Sequence, residues 1–526
     1  MKILAADGIS PEGIELLADY EVDVRDKISH EELIEVIGGY DALMVRSASK
    51  VSADVLERAD RLKIIGRAGV GVDNIDVKAA TERGIIVINS PGGNTIAATE
   101  HTMAMMLSLA RNIPAADATM HTGGWNRKAY VGVELRGKTL GVIGMGRIGS
   151  GVAKRALAFE MNVIAYDPYI NEERAKALGV AVGTLDDIFA AADFITVHMP
   201  LTKETRGMIS MKEMRRMKKG IRLVNCARGG IISETDLAAA VEEGIVAGAA
   251  IDVFENEPLA EDHPLRGIPG IVLTPHLGAS TVEAQIGVSV DVAEGIRAAL
   301  RGEPVTAAVN MAPVSKEVMR VIRPYITLAE QLGCTACSLA EGAISHVEVI
   351  YNGEITEVNT SFLTTAILKG MLNPILESEI NYVNAPGVAK SRGIKVTEIK
   401  EKETSHFSTL ITVRVTAAGG TTEVQGTLFG TEGRIVRINR FRVDVDPHAR
   451  ILICPHINRP GVIGMIGSIM GEAGINISSM QVGKSDREGM NIMVLTIDHD
   501  IPDDTLARVL AVDGIFDAKL VNFETI

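Results

Sequence analysis

Short apolar runs alternate with amphipathic stretches along the first part of the chain. Ile3-Leu4-Ala5, Val22-Asp23-Val24, Ala42-Leu43-Met44-Val45, Ile64-Ile65-Gly66 and Ile85-Ile86-Val87-Ile88 read as strands, with helical stretches such as Pro11 to Leu17 between them. That order predicts an open, mostly parallel α/β sheet. From Asn94, an N-cap candidate, a helical pattern (Ile96, Ala97, Met103, Ala104, Leu107) runs to about Arg111 and leads towards a second lobe. There the apolar run Leu140 to Ile143 ends in Gly144-x-Gly146-x-x-Gly149, and a helical pattern (Val152, Ala156, Phe159) follows at once. Asn162 to Tyr166, Phe194 to His198, Arg222 to Cys226, Ala247 to Val253 and Ile271 to Thr274 continue it as a doubly wound sheet.

Near Pro304 and Pro313 the pattern changes. Residues 308 to 447 mix a strand (Val347 to Tyr351), a helix (Thr364 to Leu372) and a strand-rich run from Thr422 to Val445, an α+β unit. Arg434, Arg437, Arg440 and Arg442 recur there near alternate positions and read as a solvated strand face. From Arg450 to Asn522 the order strand, helix, strand, strand, helix, strand is that of a ferredoxin-like unit, with Pro460 in a first helical turn and Gly474 at a helix stop.

Composition narrows the class. At 526 residues the chain exceeds a single core, and 46% hydrophobic content with one Trp and ten Phe implies aliphatic packing. A net charge of −14 argues against nucleic acid or anionic membranes as partners, so an anionic substrate needs a local basic cluster. With no apolar run long enough to span a bilayer and an opening strand at Lys2 to Ala6, a cytoplasmic location is expected. Cys334-x-x-Cys337 lies in a helical pattern without a second pair, so core thiols are expected and no metal site.

The glycine turn carries the first chemistry. Gly144 allows a tight bend, Gly146 lets a pyrophosphate approach the backbone, and Gly149 lets helix pack on strand. Asp167, at the end of the next strand, suits an adenosine ribose and repels a 2′-phosphate, which favours NAD. Strand ends in the first lobe carry Arg46-Ser47, Arg67 to Asn74 and Asn89 to Thr95, a plausible anion pocket. In the second lobe Arg228, an acid among Glu255 and Glu257, and His276 follow successive strands, the groups a hydride-transfer site needs.

These residues resemble the D-isomer-specific 2-hydroxyacid dehydrogenases. The resemblance rests on Gly144 to Gly149, Asn225-Cys226-Ala227-Arg228-Gly229-Gly230, Asp252 to Pro258 and Thr274-Pro275-His276-Leu277-Gly278-Ala279. Val45-Arg46-Ser47, Gly66 to Gly69, Trp125 to Lys128 and the C-terminal third are most similar to the long-form phosphoglycerate dehydrogenase branch. The resemblance implies a flavodoxin-like substrate domain (residues 1–95 and 281–307) with an inserted Rossmann NAD domain (96–280), then an α+β intervening domain (308–447) and a ferredoxin-like ACT domain (448–526). It selects Glu257 over Glu255. It also implies NAD-dependent oxidation of a phosphorylated 2-hydroxy acid, D-3-phosphoglycerate, at the head of a route to serine.

By the same resemblance Arg228 holds the substrate carboxylate, His276 is the general acid/base and Glu257 orients it. Arg46, Ser47, Arg67 and Asn94, with Arg127 and Lys128 from a neighbouring subunit, would bind substrate. Gly144, Gly146, Arg147, Ile148, Gly149, Asp167, Cys226, Ala227, Asp252, Gly278 and Ala279 would contact NAD. His456, Asn458 and Asn476 would take L-serine as effector in a homo-oligomer, dimer or tetramer. The competing readings are another D-2-hydroxyacid dehydrogenase, such as a glyoxylate or hydroxypyruvate reductase, and a non-catalytic NAD-responsive module.

Overall fold

The computed structural model of the chain describes residues 1–303, 305, 307–312, 314–376, 380–403, 406–484 and 489–524; Pro304 and Pro313 lie outside them. Its first sheet holds Lys2–Ala6, Glu21–Arg25, Ala42–Val45, Ile64–Arg67 and Ile86–Asn89, all parallel, in the order second, first, third, fourth, fifth. This is the flavodoxin-like order. Alternate residues serve opposite faces, as a two-residue period requires. Leu4, Leu43, Val45 and Ile65 pack against Leu33, Ile37 and Leu56, whereas Ile3, Ala42, Met44 and Ile64 meet Val288, Val292 and Ile296. The latter three belong to the helix Val282–Leu300, so the chain returns after the second lobe to complete the first.

The second sheet has seven parallel strands, and its switch point lies between Thr139–Ile143 and Phe194–Val197, which are neighbours although not consecutive. Asn162–Tyr166 and the short Ala181–Val182 extend it one way; Ile221–Asn225, Val246–Ile251 and Ile271–Leu273 extend it the other. The interlobe helix, Thr95–Arg111, buries Met103, Met106 and Leu109 against Leu140, Val224 and Ala250 of this sheet. Ala181–Val182 is too short and exposed to leave a periodic signal, and the helix Ile113–His121 buries none of its residues.

Two further sheets follow. One is mixed, with Ile344–Gly353 parallel to Lys395–Glu401 and antiparallel to Thr409–Ala417, followed by Gly420–Phe429, Glu432–Ile438 and Phe441–Val445. The other is antiparallel, ordered Ile477–Lys484, Met490–Ile497, Arg450–Ile457, Lys519–Asn522, the ferredoxin-like arrangement. The helix Ile326–Leu339 joins them: Leu328, Leu332 and Cys334 share one core with Ile451, Ile453, Val494 and Val521. Cys334 and Cys337 are core thiols, pushed by burial up to about 12 and about 11.

Local details depart from the sequence pattern. Pro460 precedes the helix Val462–Glu472, whose N-cap is Gly461 at φ +95°. On the arginine-bearing strand face, Arg434 is partly exposed and pairs with exposed Glu432 at 3.0 Å and Asp446 at 3.7 Å. Among the described residues no helix is long and apolar enough to cross a membrane.

Candidate active site

The glycine turn opens the helix Arg147–Ala158. Gly144 sits at φ +99°, where a Cβ would lie 2.5 Å from the His198 carbonyl oxygen, and a Cβ on Gly149 would lie 2.0 Å from the Gly144 carbonyl oxygen. Both positions are closed to side chains. Gly146 differs, because a Cβ there would meet nothing within 4 Å. Its space opens at a helix N-terminus whose amides suit an anion. Asp167 accepts from the Met145 amide and from the Tyr169 amide, each at 2.8 Å. A cleft beside it is lined by Met145, Ser150, Asp167, Tyr169 and Ile170. Arg147 reaches back towards the first lobe, to 3.6 Å from where a Gly92 Cβ would stand.

At the other end of the same sheet edge three turns meet. Asn225, buried at a strand end, shapes the first: its Oδ1 accepts from the Ala227 amide at 3.1 Å and its Nδ2 donates to the Arg228 carbonyl at 2.9 Å. A Cβ on Gly229 would lie 2.0 Å from the Phe254 carbonyl carbon, so this turn packs backbone to backbone on the loop bearing Glu257. Glu257 Oε1 accepts from the Phe254 amide at 3.0 Å, and Oε2 lies 2.8 Å from His276 Nδ1. A carboxylate only accepts, so Nδ1 carries the proton and the neutral ring keeps its lone pair on Nε2. Burial pushes the Glu257 carboxyl up, but the His276 hydrogen bond and the Phe254 amide outweigh it and hold the group below its ordinary value.

His276 adopts φ +56°, and Asp252 braces its turn. Asp252 is fully buried; Oδ1 accepts from the Thr274 hydroxyl at 2.6 Å and the Leu277 amide at 2.8 Å, and Oδ2 accepts from the Gly278 amide at 3.0 Å. With no exposed surface, Asp252 braces this turn from behind. Cys226, pushed by burial and the Asp252 charge up to about 12, is a thiol and not a thiolate. Ile148, Ala227 and Ala279 are half-buried around the same edge.

Across the cleft the first lobe presents its cations. Gly71 clears room for Arg228, since a Cβ there would lie 2.2 Å from Arg228 Nη2, and Arg228 Nε pairs with Asp73 at 3.3 Å. Arg67 donates to Asn74 Oδ1 at 3.2 Å; burial, then the charges of Arg228 and Arg46, pull it below the usual guanidinium value. Three guanidiniums thus share one field. Asp7 accepts from the amides of Arg46 and Ser49, each at 2.9 Å, while Asn74 Nδ2 donates to the carbonyls of Arg46 and Ser49 at 2.8 and 2.7 Å. Asp7, Asp73 and Asn74 escaped the sequence reading as individuals, although the last two stand in the quoted Arg67 to Asn74 loop.

Other expected residues need correction or a partner. Asn94 occupies the N-cap position but makes no capping bond; its Oδ1 is buried without a partner. Ser47 is exposed beside Arg46. Arg127 and Lys128 lie on an exposed turn, Arg127–Tyr130, and form no ion pair among the described residues. In the last sheet His456 is buried with Nε2 unpartnered and stands opposite Asn491, whereas Asn476 precedes Ile477, which pairs with Ile497. Most of the strand Met490–Ile497 separates the two, roughly 20 Å at about 3.3 Å per residue. Asn458 is exposed at the His456 end; Asn476 donates to Asp498 at 2.7 Å. One chain does not bring the three together.

Comparison with known proteins agrees with this architecture. The profile of the D-isomer specific 2-hydroxyacid dehydrogenase NAD binding domain matches residues 103–278, that of the D-3-phosphoglycerate dehydrogenase intervening domain matches 321–439, and that of the ACT domain matches 451–514. The chain is 46% identical to a D-3-phosphoglycerate dehydrogenase of Archaeoglobus fulgidus over 99% of its length and 100% of the relative's. It is 46% identical to one of Synechocystis over 99% of its length and 94% of the relative's. A solved glyoxylate reductase of Paecilomyes thermophila superposes with a TM-score of 0.54 at 31% identity, covering 59% of this chain and 97% of that one. The chain belongs to the D-3-phosphoglycerate dehydrogenases, within the D-isomer specific 2-hydroxyacid dehydrogenase family, and is an NAD-dependent oxidoreductase.

Proposed function

We propose that the chain oxidises D-3-phosphoglycerate to 3-phosphohydroxypyruvate with NAD, the first step of the phosphorylated route to L-serine, under feedback by L-serine. One observation carries the reading: the Glu257–His276 pair and Arg228 of one lobe face Arg67 and Arg46 of the other. A substrate bearing a carboxylate and a phosphate brings anionic groups to match those cations. The glyoxylate reductase likeness extends over the two lobes only, and a small unphosphorylated acid leaves that cationic wall unmatched.

The Gly144, Gly146 and Gly149 turn with Arg147 and Ile148 would hold NAD, Asp167 would meet its ribose, and the bound cofactor would supply the hydride acceptor. Cys226, Ala227 and Ala279 would border its nicotinamide end, with buried Asp252 and Gly278 behind them. Arg228 binds the substrate carboxylate and polarises the C2 oxygen. His276 Nε2 takes the C2 hydroxyl proton, and Glu257 holds the ring and the imidazolium that forms. Arg46 and Arg67, with Ser47 and Asn94, hold the phosphate end, and Arg127 and Lys128 reach it from a second subunit. Ile113, Met120, Trp125 and Val131, exposed by 51 to 80%, flank those two cations and support a homo-oligomer here.

The same reading divides the chain at 95, 280, 307 and 447, and places it in the cytoplasm. L-serine would sit between two copies, His456 and Asn458 from one and Asn476 from the other, which fits their separation within one chain. The test is NAD reduction with D-3-phosphoglycerate, lactate, glycerate and 2-hydroxyglutarate, each with and without L-serine. Turnover of an unphosphorylated acid but not of phosphoglycerate would overturn the substrate; turnover indifferent to serine would overturn the effector.

A further inference from the structure

The interlobe helix Thr95–Arg111 starts beside Asn94 in the substrate cleft and carries His101 two turns later. Its imidazole, with 18% of the side chain exposed, places Nε2 at 3.1 Å from Asp252 Oδ1 and 3.3 Å from Thr274 Oγ1. The hydrogen-bond donors to the Asp252 carboxylate, Thr274, Leu277 and Gly278, all come from the turn that bears His276. His101 arrives from a different element. The turn needs such support. His276 sits in the left-handed region at φ +56°, sparsely populated for a side-chain-bearing residue, and its amide donates to the Asp252 carbonyl at 2.9 Å. Cys226 brings a third potential ligand atom within 4.8 Å of the other two. A cation there would compete with three donors already on the carboxylate, so hydrogen bonding accounts for the cluster better than metal binding.

We infer that His101 is a positioning residue for the dehydrogenase reaction, holding Asp252, and through it the His276 turn, against the helix that leads out of the substrate cleft. The inference rests on the reading of His276 as the acid/base, and it adds a mechanical link. The helix that begins at the substrate end and the turn that aims the imidazole are joined through this one side chain, whose Nε2 bonds Thr274 Oγ1 and lies 3.1 Å from Asp252 Oδ1.

The test uses the full-length enzyme with His101→Phe, which keeps a ring but removes the donor, and His101→Gln, which returns an N–H near the same place. Loss of the His101 bond to Thr274 Oγ1, and of the imidazole beside the Asp252 carboxylate, should lower kcat about tenfold in His101→Phe. KM for D-3-phosphoglycerate and the Kd for NAD should stay close to wild type, and His101→Gln should recover most of kcat. Wild-type kcat in His101→Phe overturns the inference, as does equal damage in both variants or a loss confined to KM. If His101→Phe does not fold, Thr274→Val removes the hydroxyl that stands between His101 and the Asp252 carboxylate; a wild-type kcat in Thr274→Val then overturns it. His276→Asn separates the two readings. Activity in that variant sinks the acid/base assignment itself, whereas an inactive His276→Asn beside a fully active His101→Phe sinks only the role of His101.

Discussion

Glu257 Oε2 stands 2.8 Å from His276 Nδ1, and the same carboxylate accepts the Phe254 amide through its other oxygen at 3.0 Å. The acid that orients the imidazole is thus itself oriented by the backbone, so ring and carboxylate behave as one unit.

Glu257→Gln should therefore change the pH profile as well as the rate. The Glu257 carboxyl is held below its ordinary value, so it stays ionised through the usual carboxylate range and its charge is lost only as pH falls through the lowered pKa. The acid limb of kcat/KM for oxidation should then belong to an imidazole, with no carboxylate limb inside the range where histidine titrates. Removing the negative charge destabilises imidazolium, so in Glu257→Gln the limb should move to lower pH while kcat falls about 10- to 100-fold. A pH–rate series on both proteins checks it; a limb that moves upward contradicts the pairing.

Arg67 shares its field with Arg228 and Arg46, and burial already weakens its hold on a proton. Arg67→Gln relieves that repulsion but removes a charged donor. Because a hydrogen bond to a charged group is worth about 1.5–3 kcal/mol, kcat/KM for D-3-phosphoglycerate should fall roughly 10- to 100-fold. Glycerate, which lacks the phosphate, should lose much less. Equal losses on both substrates would remove Arg67 from phosphate recognition.

Asp167 makes two bonds to the backbone, to Met145 and Tyr169, before any ribose arrives. Asp167→Ala should lower the NAD to NADP preference at least about tenfold, because the charge that repels a 2′-phosphate is gone. Asp167→Asn should do the same while bonding the turn less well. Steady-state kinetics with both cofactors decide the matter.

Much of the architecture was legible because it rests on local periodicity. The strands from Ile3 to Ile88 and the three-glycine turn bury side chains in patterns that neighbouring residues declare. The site was legible only in part, since its geometry comes from turns that meet across strand ends. Glu255 and Glu257 are equivalent on spacing; in the fold Glu257 faces His276, whereas the Glu255 amide is held by Glu234 Oε1 at 2.7 Å. Asp73 gains meaning only once Arg228 crosses from the other lobe to reach it. His101 is one more polar residue on a helix until Asp252, far away in sequence, is placed against it. Asn94 takes the N-cap position its residue type favours, but the helix start leaves its Oδ1 without a donor, which residue type alone does not reveal.

The two inner glycines of the turn should separate folding from binding. A Cβ on Gly149 would overlap the Gly144 carbonyl oxygen at 2.0 Å, a clash of backbone with backbone that no rotamer relieves. Gly149→Ala must push the helix Arg147–Ala158 off its strand, and the expected destabilisation is of the order of 1–3 kcal/mol, the usual range for overpacking. Gly146→Ala adds a methyl where nothing lies within 4 Å, so the free protein should keep its Tm. That methyl would stand where the diphosphate must approach the helix N-terminus, so the same variant should lose NAD affinity by about tenfold or more. Thermal unfolding and NAD titration on the pair give a crossed result: Gly149→Ala loses Tm, Gly146→Ala loses NAD. A Gly146→Ala enzyme that binds NAD as wild type does would mean that the diphosphate lies elsewhere than against this turn.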